Sequence, residues 1–230
     1  MPTLVLIPGL LCDRSLWNGQ IATLQDYSEI IFADITQQST ISEMATAVLQ
    51  NAPTQFSLAG FSLGGQVALE IMEVAKDRVE RLALLSTTHG GLLPAAEASI
   101  RHAITMVETD GFDRYLDEAH SSYFAAYGAD DAKLRHIFVT MAHAVGPRAG
   151  LRQMQALLAI RAPFTNLDQI DCPTVIIGGR EDRRTTPEAH RQLALEIPRS
   201  KLRIIDGAAH FTPIEQPGKV AEILSSWITQ

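Results

Sequence analysis

Short apolar runs alternate with segments of helical periodicity at both ends of the chain, and this alternation constrains the fold more than any other feature of the sequence. Thr3–Ile7 is an apolar run closed by Pro8-Gly9, too short for a helix and suited to a buried strand. Glu29–Ala33, Gln55–Gly60, Val79–Leu85, Pro173–Ile177 and Lys201–Ile205 read the same way. Helical spacing follows each of them. Ser15–Gln25 carries Leu16, Trp17, Ile21 and Leu24, and Thr40-Ile41-Ser42-Glu43 is a capping-box pattern before a second periodic segment. Leu63–Ala75, Pro187–Glu196 and Pro217–Ile228 complete the set, with Pro187 suited to a first helical turn. Six strands each followed by a helix predict a mainly parallel α/β sheet with helices on both faces. The rhythm breaks between Leu92 and Ala162, where only helical patterns occur, near Ala95–Thr109, Phe112–Ser122, Asp131–Val145 and Pro147–Ile160. A helical insertion between two strands predicts a cap (92–162) set into a core formed by 1–91 and 163–230. Most of its aromatics, Phe112, Tyr115, Tyr123, Phe124, Tyr127 and Phe138, are expected to hold its helices together, and a few to line a pocket.

Charge and composition remove several functions. The 230 residues carry 19 Lys and Arg against 26 Asp and Glu, a formal charge of −7, with no clustered basic run to neutralise phosphates. Nucleic acid is therefore not an expected partner. The longest purely apolar stretches span only a few residues, against about 20 for a membrane span. No basic N-terminus leads into an apolar stretch of export length. Cys12 and Cys172 lack CxxC spacing, so neither a disulfide framework nor a zinc site is expected. A cytoplasmic protein with two free thiols is the expectation.

The chemistry concentrates at three places. Gly60-Phe61-Ser62-Leu63-Gly64 matches G-x-S-x-G between a predicted strand and a predicted helix, the context that presents a serine hydroxyl on a tight turn. A small-residue turn that merely packs a helix on a strand uses the same glycines. The helix N-terminus behind Ser62 favours negative charge on a bound oxyanion. A serine hydroxyl needs a base. His210, just after the strand Lys201–Ile205, lies at the C-terminal edge of the sheet, where such folds bind ligands. The base needs an orienting carboxylate, and Glu181 and Asp182 both follow the strand Pro173–Ile177.

Together, Leu6-Ile7-Pro8-Gly9-Leu10, Gly60–Gly64, Gly179-Arg180-Glu181-Asp182 through Pro187, and Gly207-Ala208-Ala209-His210 through Glu215-Gln216-Pro217 resemble the α/β-hydrolase superfamily, in its cap-bearing carboxylesterase and carbon–carbon-bond hydrolase branch. The resemblance covers nearly the whole chain. It implies an α/β-hydrolase fold and places the acid on Asp182 and the base on His210, in the order Ser62, Asp182, His210. It places the oxyanion-hole donors on the backbone N–H groups of Leu63 and Leu10. Pro8 stands where the pattern has His, which leaves the supporting hydrogen bonds of that loop unassigned. His89-Gly90-Gly91 has the look of a lipase oxyanion motif but follows the fourth strand, the wrong place. The N-terminal strand hairpin usual in the family is missing ahead of Leu4, so the sheet is expected to be short at one edge.

The implied activity is a serine esterase acting on small to medium, mainly apolar acyl esters through a Ser-His-Asp triad and an acyl-enzyme, with a small-molecule ester as partner and no metal or organic cofactor. The same triad serves thioesters, lactones or carbon–carbon bonds, and a ligand-binding module on this scaffold is the reading from another class. Phe124, Phe138 and Met141 are expected at the substrate pocket. Arg101, Arg148 and Arg152 are the cations of the insertion that could meet an anionic substrate.

Overall fold

The computed structural model describes residues 1–109, 111–125, 131–160 and 164–230. Six strands form one sheet: β1 (Thr3–Ile7), β2 (Glu29–Phe32), β3 (Phe56–Phe61), β4 (Val79–Leu85), β5 (Thr174–Gly179) and β6 (Ser200–Ile205). Their order is β2-β1-β3-β4-β5-β6, and every neighbouring pair is parallel. The sheet ends at β2 on one side and at β6 on the other.

Both faces of the sheet are covered, which is why its central strands are apolar without alternation. Leu4 and Leu6 of β1 face Trp17, Leu224 and Trp227, from the 3-10 turn Arg14–Trp17 and from α10 (Pro217–Ile228). Val5 and Ile7 face the other way, toward α2 (Ile41–Asn51), α3 (Leu63–Ala75) and α8 (Pro187–Glu196), which contribute Met44, Val67 and Leu193. Thr40 caps α2 by accepting the N–H of Glu43, while Glu43 accepts the N–H of Ser39, so the capping-box residues bind backbone donors in both directions. The segment expected as one helix over Ser15–Gln25 divides into that 3-10 turn and α1 (Asn18–Leu24). Asp13 caps the turn by accepting the N–H of Ser15. A short helix, α9 (Thr212–Glu215), precedes α10.

Between β4 and β5 lie α4 (Pro94–Thr109), α5 (Phe112–Tyr123), α6 (Ala132–Val145) and α7 (Pro147–Leu158), and the described residues of this stretch hold no strand. Ile100, Met106, Tyr115 and Phe138 of these helices share one apolar cluster with Leu11 and Phe211 of the sheet's loops. Tyr127 and the boundary expected at 162 and 163 lie outside the described residues. Both cysteines are free and buried. Among the described residues no helix is long and apolar enough to cross a membrane.

Parallel pairing sets Phe61 of β3 beside Leu85 of β4, and Gly179 of β5 beside Ile205 of β6. The loops that follow β1, β3, β5 and β6 therefore emerge at one edge of the sheet, and they carry Leu10, Ser62, Asp182 and His210.

Candidate active site

Ser62 occupies the turn from β3 into α3 with φ +52° and ψ −112°, in the left-handed half of backbone space that side-chain-bearing residues rarely adopt. Its N–H donates to the Leu85 carbonyl at 2.8 Å. Its own carbonyl accepts the N–H groups of Gly65 and Gln66 and the Thr87 hydroxyl at 3.0 Å. The unusual backbone is thus pinned on both sides. Leu11 and Ser86 are the other described non-glycine residues with positive φ, one in the loop after β1 and one lining the cavity over Ser62. Backbone outliers gathered at one cleft are a mark of a functional site.

His210 Nε2 lies 3.0 Å from Ser62 Oγ, and His210 Nδ1 lies 2.9 Å from Asp182 Oδ2. A carboxylate only accepts, so Nδ1 carries the proton and Nε2 turns its lone pair to the serine hydroxyl. Asp182 is buried, and its remaining acceptor capacity is filled. Oδ1 takes the N–H groups of Arg184 (2.8 Å) and Thr185 (2.9 Å), and Oδ2 takes the Thr185 hydroxyl at 2.6 Å. Burial alone pushes this carboxyl up, but the His210 imidazole and the Thr185 donors outweigh it and hold it below the usual carboxylate range. Asp182 reaches the histidine, while Glu181 is exposed and uses its backbone N–H to tie to Ala208.

Leu63 is the first residue of α3, where a helix leaves its N–H without an intrahelical partner. Leu10 sits in the turn closed by the Cys12 N–H on the Gly9 carbonyl. The support that Pro8 leaves unassigned comes from Gln153 of α7. Its Oε1 accepts the Leu11 N–H at 2.9 Å, its Nε2 donates to the Ile35 carbonyl at 3.3 Å, and its side chain is fully buried. Gly150, one turn earlier, lets α7 close on Leu11: a Cβ there would come within 2.7 Å of Leu11 Cδ2. The sequence does hold a trace of this, a glutamine on the buried stripe of α7 with Ala149, Gly150, Met154 and Ala156.

The loop that carries His210 is tied to the inserted helices as well. The His210 N–H donates to the Tyr123 carbonyl at 3.1 Å. Glu215 spans the same gap, taking the N–H of Ala125 on Oε1 at 2.8 Å and that of Ala209 on Oε2 at 3.0 Å. Gln216 Nε2 donates to the Gly207 carbonyl at 2.7 Å. Burial pushes the Glu215 carboxyl up to about 6, against the pull of these N–H donors and helped by the charge on Asp182.

A cavity of about 480 Å³ opens over Ser62 and His210, walled by Ala96 and Ile100 of α4, Leu157 of α7 and the Thr87–Thr88 and Arg183–Thr186 loops. A second cavity of about 230 Å³ lies beside Leu10 and is lined by Met106, Tyr115 and Tyr123. The two share Ser99, Ile100 and Arg184. Neither is lined by Phe124, Phe138 or Met141, which corrects the pocket expected from the sequence. Phe124 and Phe138 pack on Phe211 with ring centroids 5.2 and 5.7 Å away, and Met141 is buried in the same cluster. Their apolar bulk joins the inserted helices to the histidine loop. His89 contacts Glu196 at 3.1 Å, whereas Gly90 and Gly91 line the larger cavity. Among the described residues no group of His, Cys, Asp and Glu could hold a metal ion.

Two expectations follow. Gln153→Leu keeps the volume of the side chain but strands the buried Leu11 N–H and Ile35 carbonyl. It should destabilise the protein by about 1–3 kcal/mol in urea unfolding. It should also lower kcat about tenfold, short of the ~100-fold loss of a whole oxyanion donor. For Glu215, the folded state holds a proton between the ordinary value of 4.5 and about 6, where the unfolded chain has lost it. Its contribution to stability therefore falls as pH rises through that window, by up to about 2 kcal/mol. The stability of the wild type relative to Glu215→Gln should accordingly decline between pH ~4.5 and ~6.5, as read by denaturant unfolding at each pH.

Relatives share this architecture. A pimeloyl-[acyl-carrier protein] methyl ester esterase from Nitrosomonas europaea is 23% identical over 91% of this chain and 88% of its own length. 3-Oxoadipate enol-lactonase 1 from Acinetobacter baylyi is 24% identical over 99% of this chain and 88% of its own length. The structure of a thermophilic esterase from Thermogutta terrifontis superimposes with a TM-score of 0.87 at 23% identity, covering 100% of this chain and 90% of that one. The model of the alpha/beta hydrolase family matches residues 4–223, and with a parallel six-stranded sheet and a serine elbow at the end of β3 the chain belongs to that family.

Proposed function

We propose that this hydrolase cleaves carboxylic esters with small to medium, mainly apolar acyl groups, using Ser62 as nucleophile, His210 as general base and acid, and Asp182 as the orienting carboxylate. The observation that carries this reading is the unbroken hydrogen-bonded chain from Asp182 through His210 to Ser62 Oγ at the floor of an open cavity. His210 Nε2 takes the hydroxyl proton as Ser62 Oγ bonds to the acyl carbon. The electron pair displaced onto the carbonyl oxygen faces the N–H groups of Leu63 and Leu10, the donors assigned to the oxyanion hole. The imidazolium, held by Asp182, then gives its proton to the leaving alkoxide as the C–O bond breaks. Water, deprotonated by the same nitrogen, attacks the acyl-enzyme; the Ser62–acyl bond breaks and Ser62 recovers its proton. Every step uses side chains and backbone of this chain.

In this reading residues 92–162 act as a cap on a core of 1–91 and 163–230, and α4 and α7 bound the space for the acyl group. Two relatives act by their names on a methyl ester and an enol-lactone, and both substrates present an acyl carbon to a nucleophile. Hydrolysis of an ester bond at an acyl carbon is the chemistry common to both names.

A p-nitrophenyl butyrate assay tests the assignment directly. Ser62→Ala should remove turnover while the protein unfolds at an unchanged temperature, and a fluorophosphonate should label Ser62 by mass spectrometry. Asp182→Asn should lower kcat/KM by about 10³–10⁴, since the wrong imidazole tautomer then faces the serine, with Glu181→Gln within a few-fold of wild type. The reverse ranking, or a label on another residue, refutes it. Acyl length is the second measurement. Each added methylene is worth about 0.8 kcal/mol while the cavity fills, so kcat/KM should rise about fourfold per carbon, then fall. A series from acetate to palmitate that peaks at the longest chain excludes a bounded pocket.

A further inference from the structure

The cavity over Ser62 has a charge character that the composition of the chain hides. Acidic residues outnumber basic ones by 26 to 19, yet no aspartate or glutamate lines this cavity, while Arg183 and Arg184 both do. Arg184 also lines the neighbouring cavity beside Leu10, so it stands on the wall common to the two. Arg101, Arg148 and Arg152 line neither cavity; Arg101 pairs with Glu97 at 2.7 Å, and Arg152 donates to the Thr36 carbonyl at 2.6 Å.

The placement of Arg184 is fixed from two sides. Its N–H is bound to Asp182 Oδ1, so its backbone is anchored on the carboxylate that orients His210. Its guanidinium lies over the Tyr123 ring, 4.4 Å from the centroid, and Nη1 donates to the Ser122 hydroxyl at 3.3 Å. A guanidinium stacked by its face on an aromatic ring keeps its edge donors for a planar acceptor. One of its five donors has a side-chain acceptor among the described residues, and no carboxylate is paired with it there. A positioned, solvent-reached cation on the wall of an open cavity raises the local concentration of anionic ligands.

From this geometry we infer that Arg184 is a specificity determinant that binds a carboxylate on the substrate, so the preferred substrates are ester acids, with a free carboxylate in addition to the scissile ester. This rests on the reading of Ser62 as the nucleophile of an esterase. The apolar wall of α4 accommodates the carbon chain, and Arg184 takes the charged end.

The test compares p-nitrophenyl butyrate with the mono-p-nitrophenyl ester of glutaric acid, which places the charge on the acyl side. Phenyl butyrate against 4-carboxyphenyl butyrate places it on the leaving group. For one of these pairs, Arg184→Met should reduce the ratio of anionic to neutral kcat/KM by about 10- to 100-fold, the loss of one charge-assisted hydrogen-bonded contact. The change should fall mainly on KM. Arg184→Lys, which keeps the charge without the planar fork, should retain part of the preference. The wild-type ratio should fall as ionic strength rises. A residue that merely braces α5 against the Asp182 loop would lower both substrates together, so an unchanged ratio in both pairs overturns the proposal. Calorimetric titration of Ser62→Ala separates this failure from a failure of the esterase reading, because it needs no turnover. Monomethyl glutarate should bind it about tenfold or more tightly than methyl valerate, and Arg184→Met in the same background should remove the difference. Phenyl butyrate and 4-carboxyphenyl butyrate are titrated in the same way, and equal affinities within both pairs overturn the proposal even if every ester is hydrolysed.

Discussion

Everything at the site depends on how closely α3 can approach β1. A Cβ on Gly64 would lie 2.4 Å from the carbonyl oxygens of Ile7 and Pro8, and one on Gly60 would lie 2.3 Å from the Gly64 oxygen. Real side chains do not tolerate such contacts, so the two glycines allow the helix to start directly against the sheet. That close start forces Ser62 into its left-handed conformation and carries its side chain out of the packing layer into the cavity. The helix then presents its N-terminal N–H groups, which lack intrahelical partners, beside the Ser62 hydroxyl, where they favour negative charge.

The second dependence is the attachment of the inserted helices to the loops that carry the chemistry. Gln153 binds the Leu11 N–H, Tyr123 accepts the His210 N–H, and Glu215 joins Ala125 to Ala209. These are bonds to backbone, so they set the position of the loops and not only of side chains. Apolar packing runs in parallel: Phe211, next to His210, touches the rings of Phe61, Tyr123, Phe124 and Phe138. The helices over the cleft and the loops beneath them are therefore one cooperative unit. A change in one is expected to be felt in the other, because tightly packed interiors transmit displacement.

The electrostatics of the cleft have separate levels. Asp182 is buried, ionised and fully hydrogen-bonded, its charge committed to the imidazole. Glu215, a few residues along the chain from His210, is pushed up by burial and offers its oxygens to two amides. Arg184 is exposed and anchored, a charge presented outward. Two carboxylates and one guanidinium lie around one histidine, and their environments give them different tasks.

The strands were legible because a parallel sheet covered on both faces needs continuous apolar runs, and Thr3–Ile7 and Val79–Leu85 are such runs. The elbow was legible because its glycines are a local steric requirement written into five consecutive residues. The juxtaposition of Ser62, Asp182 and His210 followed from three loops leaving the same edge of a parallel sheet. Residue type alone did not separate Asp182 from Glu181; the family pattern pointed to Asp182, and in the fold it is Asp182 that reaches His210. The pocket was not legible. Phe124, Phe138 and Met141 carry the apolar character of pocket residues, but that character fits a buried seam equally well, and all three pack into the buried cluster around Phe211. Gln153 and Arg184 act across 142 residues of sequence to Leu11 and 62 residues to Ser122. No local pattern encodes such partners. The sequence by itself determined the strands, the elbow and the order of the reactive groups, because these are set by short-range sterics and by periodicity. Which side chains face the cleft, what supports the loop after β1 and where the cations stand were decided by tertiary packing, because they depend on how separate elements rotate and close upon one another.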